Sequence, residues 1–146
     1  MRVVFGDLWT YPAHYRVITT NGAVRQNGGA VMGRGCALEA KTRYPGIEYR
    51  IGSTIRGFGN HCHYITFGPT KLFTFPVKHH WREPADLELI KRSATELVAL
   101  IDSFYMSNDS TIVLPRPGCG NGQLLWEQVE PVLSPLLDDR FHVITK

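Results

Sequence analysis

These 146 residues hold no Walker A loop, no G-x-G-x-x-G, no H-E-x-x-H and no Ser-His-Asp order, so the familiar nucleotide, zinc-protease and serine-hydrolase signatures are excluded. The acidic residues are scattered, without the paired carboxylates of glycosidase chemistry. Cysteine is scarce: Cys36, Cys62 and Cys119 are odd in number and have neither C-x-x-C nor framework spacing, which excludes a disulfide scaffold and fits a reducing compartment. The apolar run near Met1 is too short for a signal peptide and no later stretch is long enough for a bilayer, so the expectation is a cytoplasmic protein without a membrane partner. Sixteen basic against 13 acidic side chains leave +3, which suits an anionic ligand but falls short of the dense basic stripe of a dedicated nucleic-acid binder. Repeats and low-complexity tracts are missing too, and residues 1–146 read as one monomeric globular domain.

What is present is an alternation of strands and helices. Arg2 to Phe5 and Tyr15 to Thr20 have strand composition, bounded by Gly, Pro or Asn. Ala37 to Arg43 is a short helix stopped before Pro45, and Ile47 to Arg56 adds a turn or two. Tyr64 to Phe67 and Lys71 to Phe75, split by Gly68-Pro69-Thr70, read as a hairpin, with the second strand ending at Pro76. From Asp86 to Tyr105 the residues Leu87, Ile90, Ala94, Leu97, Val98, Ile101 and Tyr105 recur at helical spacing and define a core-facing stripe. Thr111 to Leu114 is a buried strand, and Trp126 to Leu137 is helical, with Pro131 placing its start there after a looser turn. Phe141 to Thr145 closes the chain as a strand. The sum is an α/β fold, a mixed sheet covered by helices on both faces.

Two glycine-rich segments each join a strand to a helix. The first runs from Asn21 through Gly28-Gly29-Ala30-Val31-Met32-Gly33-Arg34-Gly35, and the second is Pro115-Arg116-Pro117-Gly118-Cys119-Gly120-Asn121-Gly122. Alternate glycines let successive backbone N–H groups turn into one cavity, and a helix N-terminus adds its positive end, so the second segment is either a phosphate cradle or a long connection with turn glycines. In a parallel sheet both loops fall at the carboxyl ends of the strands, where one extended ligand can touch both.

The other candidates are weaker. His61 and His63 share a strand face and supply only two metal ligands, with Cys62, His79 and His80 elsewhere, so no metal site is expected. Cys119 reads as small filler, lacking a dedicated base. Arg34, Lys71, Lys78, Arg82 and Arg116 lie in or near predicted loops. Lys78 follows a strand end beside His79, His80, Trp81 and Arg82, where cationic neighbours and partial desolvation could yield a nucleophilic amine, or leave a solvated loop lysine. Trp9, Tyr11, Trp81 and Trp126 could stack on a base or belong to the core or rim.

Together, Gly6-Asp7-Leu8, Thr20-Asn21-Gly22, Gly29 to Gly35, Phe75 to Arg82 and Leu114 to Gly120 with Trp126 resemble the macrodomain family of ADP-ribose-binding modules over nearly the whole chain. The likeness is to the branch containing the terminal ADP-ribose protein glycohydrolase and the DarG antitoxin, which removes ADP-ribose from DNA. It implies a three-layer α/β/α sandwich whose ligand is ADP-ribose or an ADP-ribosylated macromolecule, single-stranded DNA or protein. It also implies ADP-ribosyl hydrolysis without a cofactor or metal, and Lys78 as the catalytic residue. Asp7 and Leu8 would meet the adenine. Asn21, Gly29, Ala30, Val31, Met32, Gly33, Arg34 and Gly35 would meet the distal ribose. Pro117, Gly118, Cys119, Gly120, Asn121 and Gly122 would meet the diphosphate. Where the protein glycohydrolase has a catalytic aspartate Gly122 stands here, as in the glycine-rich loop of DarG-like proteins, which tilts the expectation toward ADP-ribosyl-DNA. A non-catalytic ADP-ribose reader and an ADP-ribose 1''-phosphate phosphatase are the alternatives. No antitoxin role follows, the 146 residues leaving no room for the additional region of full-length DarG antitoxins.

Overall fold

A computed structural model describes residues 1–104 and 107–146. Its elements are β1 (Arg2–Phe5), β2 (Tyr15–Asn21), α1 (Gly35–Arg43), α2 (Ile47–Phe58), β3 (Tyr64–Phe67), β4 (Thr70–Lys78), α3 (Leu87–Asp102), β5 (Ile112–Pro115), α4 (Trp126–Leu133) and β6 (Phe141–Thr145). The sheet order is β1-β6-β5-β2-β4-β3, parallel throughout except for the antiparallel β3–β4 pair. Side chains alternate across it. Val17, Phe73, Phe75, Ile112, Leu114 and Phe141 pack with α3 and α4, whereas Ile18, Ile65 and Leu72 pack with α1 and α2. The result is the expected three-layer sandwich.

The long helix is Leu87–Asp102, with Asp86 as its N-cap accepting from Glu88 N at 2.9 Å. Ile90, Ala94, Leu97 and Ile101 of its apolar stripe are fully buried. The helix ends at Asp102 with Ser103 as its C-cap, short of the expected Tyr105, which itself lies outside the described residues.

Three elements have boundaries that differ from expectation for a local reason. β4 does not stop at Pro76 but runs to Lys78. Pro76 pairs with Thr20 on β2, beyond the point where β3 begins its pairing at Tyr64↔Phe73, so one side of the strand is free and a missing N–H is tolerated. The register then shifts between Thr20 and Asn21, so that Asn21 pairs with Lys78 and Val77 is the extra residue of a bulge. Second, α2 makes more than three turns, to Phe58, despite Gly52 and Gly57. Gly52 is required by packing: a Cβ there would sit 2.0 Å from Gly28 O and 2.8 Å from Ala30 N. Third, α4 starts at Trp126 rather than Pro131 and ends at Leu133 rather than Leu137. Gln128 Oε1 accepts from Leu125 N at 2.8 Å, which closes the first turn, and Pro131 sits inside the helix on its exposed side.

Candidate functional site

Because five strands are parallel, the loops following β1, β2, β4 and β5 all emerge at one edge of the sheet. From β2 the chain passes to α1 on one face, while from its neighbours β5 and β4 it passes to α4 and α3 on the other. Connections that diverge to opposite faces leave a crevice between them, which is where ligands of such sheets lie. The two glycine-rich segments are the walls of that crevice.

The first wall is built from the inside. Asn21 uses both ends of its amide: Nδ2 donates to Val31 O at 3.1 Å and Oδ1 accepts from Ala23 N at 2.9 Å, fixing the loop at its two roots. Ala30 N donates to Glu48 O at 2.9 Å, tying the loop to α2. Ala30 and Met32 are buried in the core, as Leu8 is with Val113 and Ile144, so these three shape their loops and offer a ligand main chain only. Gly33, Arg34 and Gly35 are exposed, and a side chain at Gly33 would meet nothing within 4 Å. Arg34 is the N-cap of α1 without a side-chain cap bond, which leaves the first-turn N–H groups facing the edge. After β1, Asp7 Oδ1 accepts from Trp9 N at 2.7 Å and shapes that turn.

The second wall begins at Pro117 and Gly118, both buried. Gly118 and Gly120 have φ of +77° and +78°, with extended Cys119 between them. Gly120 to Gly122 then form a single 3₁₀ turn. The two positive-φ glycines differ in surroundings. A Cβ at Gly118 would lie 2.8 Å from Ile90 Cδ1, whereas one at Gly120 meets nothing within 4 Å, so Gly120 borders open space and Gly118 the core. Gly122 is pressed against the α3 entry: its carbonyl accepts from Ala85 N at 3.0 Å, and a Cβ there would be 2.9 Å from Ala85 Cβ. No side chain fits at position 122 unless Ala85 moves.

Lys78 joins the walls. Its Nζ donates to Asn121 O at 3.2 Å, and the Asn121 amide lies 3.4 Å from where a Cβ on Gly35 would stand. The end of β4, the glycine loop and the start of α1 therefore meet around Asn121. The backbone behind the lysine is held from three directions, by Ser93 Oγ on Pro76 O at 2.6 Å, Asp86 N on Val77 O at 2.9 Å and Asn60 Nδ2 on Lys78 O at 3.0 Å. These donors replace ladder bonds that the bulge disrupts. Ser93, Asn60 and Ala85 were not singled out from the sequence. Ser93 had a signal, as the polar member of an otherwise apolar helix face; Asn60 and Ala85 had none.

The remaining candidates separate. Burial pushes the Cys119 thiol up, with Arg116 opposing, and its Sγ lies 3.8 Å from Pro117 O, so it behaves as filler. Arg116 stacks on Trp126 at 4.7 Å, and its Nε is buried without a partner among the described residues. Lys71 sits at the opposite end of β4, paired across to Thr66, and takes no part. His61 Nδ1 meets Glu96 Oε2 at 2.7 Å and His63 Nε2 meets Gly59 O at 2.9 Å. Two concavities stand apart from the glycine loops, one of about 520 Å³ beside Asp138 and Arg140 and one of about 350 Å³ between His61, Cys62 and Glu96. Neither is lined by a residue of the glycine loops.

No protein-family model matches the chain. By structure it is similar to the macrodomain of Mycobacterium tuberculosis DarG, with a TM-score of 0.79 and 30% identity over 97% of this chain and 95% of that one. By sequence it is 29% identical over 145 residues to the DNA ADP-ribosyl glycohydrolase of Thermus aquaticus, and 33% identical over 111 residues to that of Mycobacterium bovis. It covers 38% and 30% of the length of those two relatives, against 94% and 68% of itself. With both glycine loops and the central lysine at one edge of a matching sheet, the chain belongs to the macrodomain family.

Proposed function

We propose that this macrodomain binds ADP-ribose along the crevice and hydrolyses the bond joining it to an acceptor, with a base of single-stranded DNA as the first-choice acceptor. The relatives named DNA ADP-ribosyl glycohydrolase support that choice. The observation that carries the reading is the position of Lys78 Nζ, 3.2 Å from the carbonyl of Asn121, the glycine-loop residue whose side-chain amide stands at Gly35. A diphosphate held by the Gly118 to Gly122 loop puts the distal ribose beside this amine. The Lys78 amine can then attack C1'' of the ring-opened sugar. The bond to the acceptor breaks, its electron pair and the amine's proton leave with the acceptor, and water releases ADP-ribose and restores the lysine. The contact between Gly122 and Ala85 supports a scheme that relies on lysine without a loop carboxylate.

The test separates binding from turnover, because an amine acting on the departing bond contributes little to ground-state affinity. Lys78→Ala is expected to abolish release of ADP-ribose from modified thymidine in single-stranded DNA. Free ADP-ribose, followed by calorimetry in chelator, should still bind within roughly tenfold, about 1.4 kcal/mol. Lys78→Arg should not rescue, since a guanidinium keeps the charge but is no nucleophile. A wild-type protein that binds ADP-ribose yet releases nothing from DNA, glutamate, aspartate or serine linkages is a reader, and the proposal fails.

A further inference from the structure

Between Lys78 and Asp86 the chain makes an excursion whose two ends are closed on each other by Asp86 N to Val77 O at 2.9 Å. Both ends are also fastened to the glycine loop, through Lys78 Nζ on Asn121 O at 3.2 Å and Ala85 N on Gly122 O at 3.0 Å. The excursion is therefore fixed to the rim of the crevice at the point where the acceptor must leave. Apart from Ala85, which packs into the core, its side chains face solvent. His79, His80, Trp81, Arg82, Glu83 and Pro84 are all exposed, and Trp81 keeps 44% of its surface in solvent. His80 stacks on Trp81 at 5.6 Å and 30°, and the Arg82 guanidinium lies 4.8 Å from the indole centroid. Arg82 N donates to His80 Nδ1 at 3.2 Å and Glu83 N to His80 O at 3.1 Å, so the turn is closed and the His80 ring at the base of the stack is held by main chain. The acidic groups are accounted for: Asp86 Oδ2 is taken by His79 Nε2 at 2.9 Å, which leaves Glu83 as the one free carboxylate among described residues of the excursion.

An exposed indole flanked by an imidazole and a guanidinium is costly in water and suits an unpaired base. Single-strand binders use such planes for stacking and a nearby cation for the backbone. We propose that the His80–Trp81–Arg82 stack is the strand-contact surface of this protein: an unpaired base next to the modified nucleotide extends the stack, and Arg82 pairs with a phosphate of the same strand. The inference rests on the proposed hydrolase reading for its place in the reaction, but the surface is testable without turnover. A duplex, with its bases already stacked, has nothing to offer it.

The first measurement is fluorescence anisotropy of a labelled unmodified oligothymidylate of about ten nucleotides, a length within the range that single-strand sites cover. Wild-type protein should bind it at low salt in preference to a duplex competitor. Trp81→Ala should weaken this by tenfold or more and Trp81→Phe by less. Arg82→Ala should lower the salt slope by about 0.7, the share of one phosphate on a single strand. ADP-ribose affinity should be unchanged in all three variants. The second measurement is release of ADP-ribose: Trp81→Ala should raise KM for a modified oligonucleotide at constant kcat and leave the modified mononucleoside unaffected. A wild type that ignores single strands, a duplex that competes equally, or a Trp81→Ala protein that binds the strand like wild type overturns the inference. Strand binding lost in Trp81→Ala, with no release by wild type from DNA, glutamate, aspartate or serine linkages, overturns the hydrolase reading and leaves the surface standing.

Discussion

Gly118 and Gly120 offer a pair of perturbations, because their φ values, +77° and +78°, both lie in the left-handed region while their surroundings differ. The strain of that region on a side chain is about 1–2 kcal/mol. For Gly120→Val it is most of the folding cost, since the new Cβ meets nothing within 4 Å. Gly118→Ala adds overpacking against Ile90 Cδ1 at 2.8 Å and against Ala85 Cβ and Leu124 Cδ1 at 3.0 Å, a further cost of about 1–3 kcal/mol. The order reverses for ligand. If the open space beside Gly120 is where the diphosphate lies, an isopropyl group there displaces it from its N–H donors, each worth about 1.5–3 kcal/mol to a charged acceptor. Losing two weakens ADP-ribose binding a hundredfold or more, about 2.7 kcal/mol at least. Thermal unfolding and calorimetry on both variants read the two effects apart. Gly120→Val should melt roughly 2–8 °C low, at about 2–4 °C per kcal/mol, and bind poorly. Gly118→Ala should melt lower still. A folded Gly120→Val protein with wild-type affinity would mean that the phosphate lies elsewhere.

Two further outcomes follow from the surroundings of the crevice. Asp86→Ala should cost about 1 kcal/mol through loss of the α3 N-cap. The His79 bond, with help from Glu88 N and Leu89 N, holds the Asp86 carboxyl below its ordinary value. Its contribution is therefore complete above the ordinary carboxylate range and fades as pH falls through the depressed folded value, so the wild-type advantage over Asp86→Ala in thermal melts should shrink toward acid. Away from the crevice, Arg140 Nη2 meets Asp138 Oδ2 at 2.7 Å and Asp102 Oδ1 at 2.8 Å. Both carboxylates are more than half exposed, so Arg140→Ala should destabilise by only about 1 kcal/mol and leave ADP-ribose calorimetry unchanged.

The fold was legible where periodicity was long and uninterrupted. α3 and the strands announce themselves because each buries one face, or both, and the alternation of strands with helices fixes the layer arrangement. The glycine loops were legible as loops, since alternate glycines suit nothing else. Their roles were not equally legible. Gly118, Gly120 and Gly122 look alike in the chain, yet one packs on Ile90, one borders open space and one abuts Ala85. Those distinctions depend on residues about 30 positions away and have no local signature. Gly52 is the reverse case: its low helical propensity obscured α2, and only the 2.0 Å approach to Gly28 O explains why nothing else can stand there. Pro76 misled because a proline inside a strand argues against the strand unless its N–H side is unpaired, and that depends on where β3 begins.

The bulge at Val77 has a consequence for how the site is held. Side chains alternate along a regular strand, and one extra residue reverses the faces of everything beyond it. Up to Pro76, β4 follows the register of β2; past Val77 it is Lys78 that pairs with Asn21, the residue that clamps the first glycine loop through Val31 O and Ala23 N. The bulge thus sets the lysine level with the root of one wall while its amine reaches the other. Such a placement has a cost, because the carbonyls of residues 76 to 78 need partners that a regular ladder would have supplied. Ser93 Oγ, Asp86 N and Asn60 Nδ2 provide one each, from α3, its N-cap and the loop after α2. The lysine backbone is consequently anchored by groups from both helical layers, while its amine is held separately, by the hydrogen bond to Asn121 O.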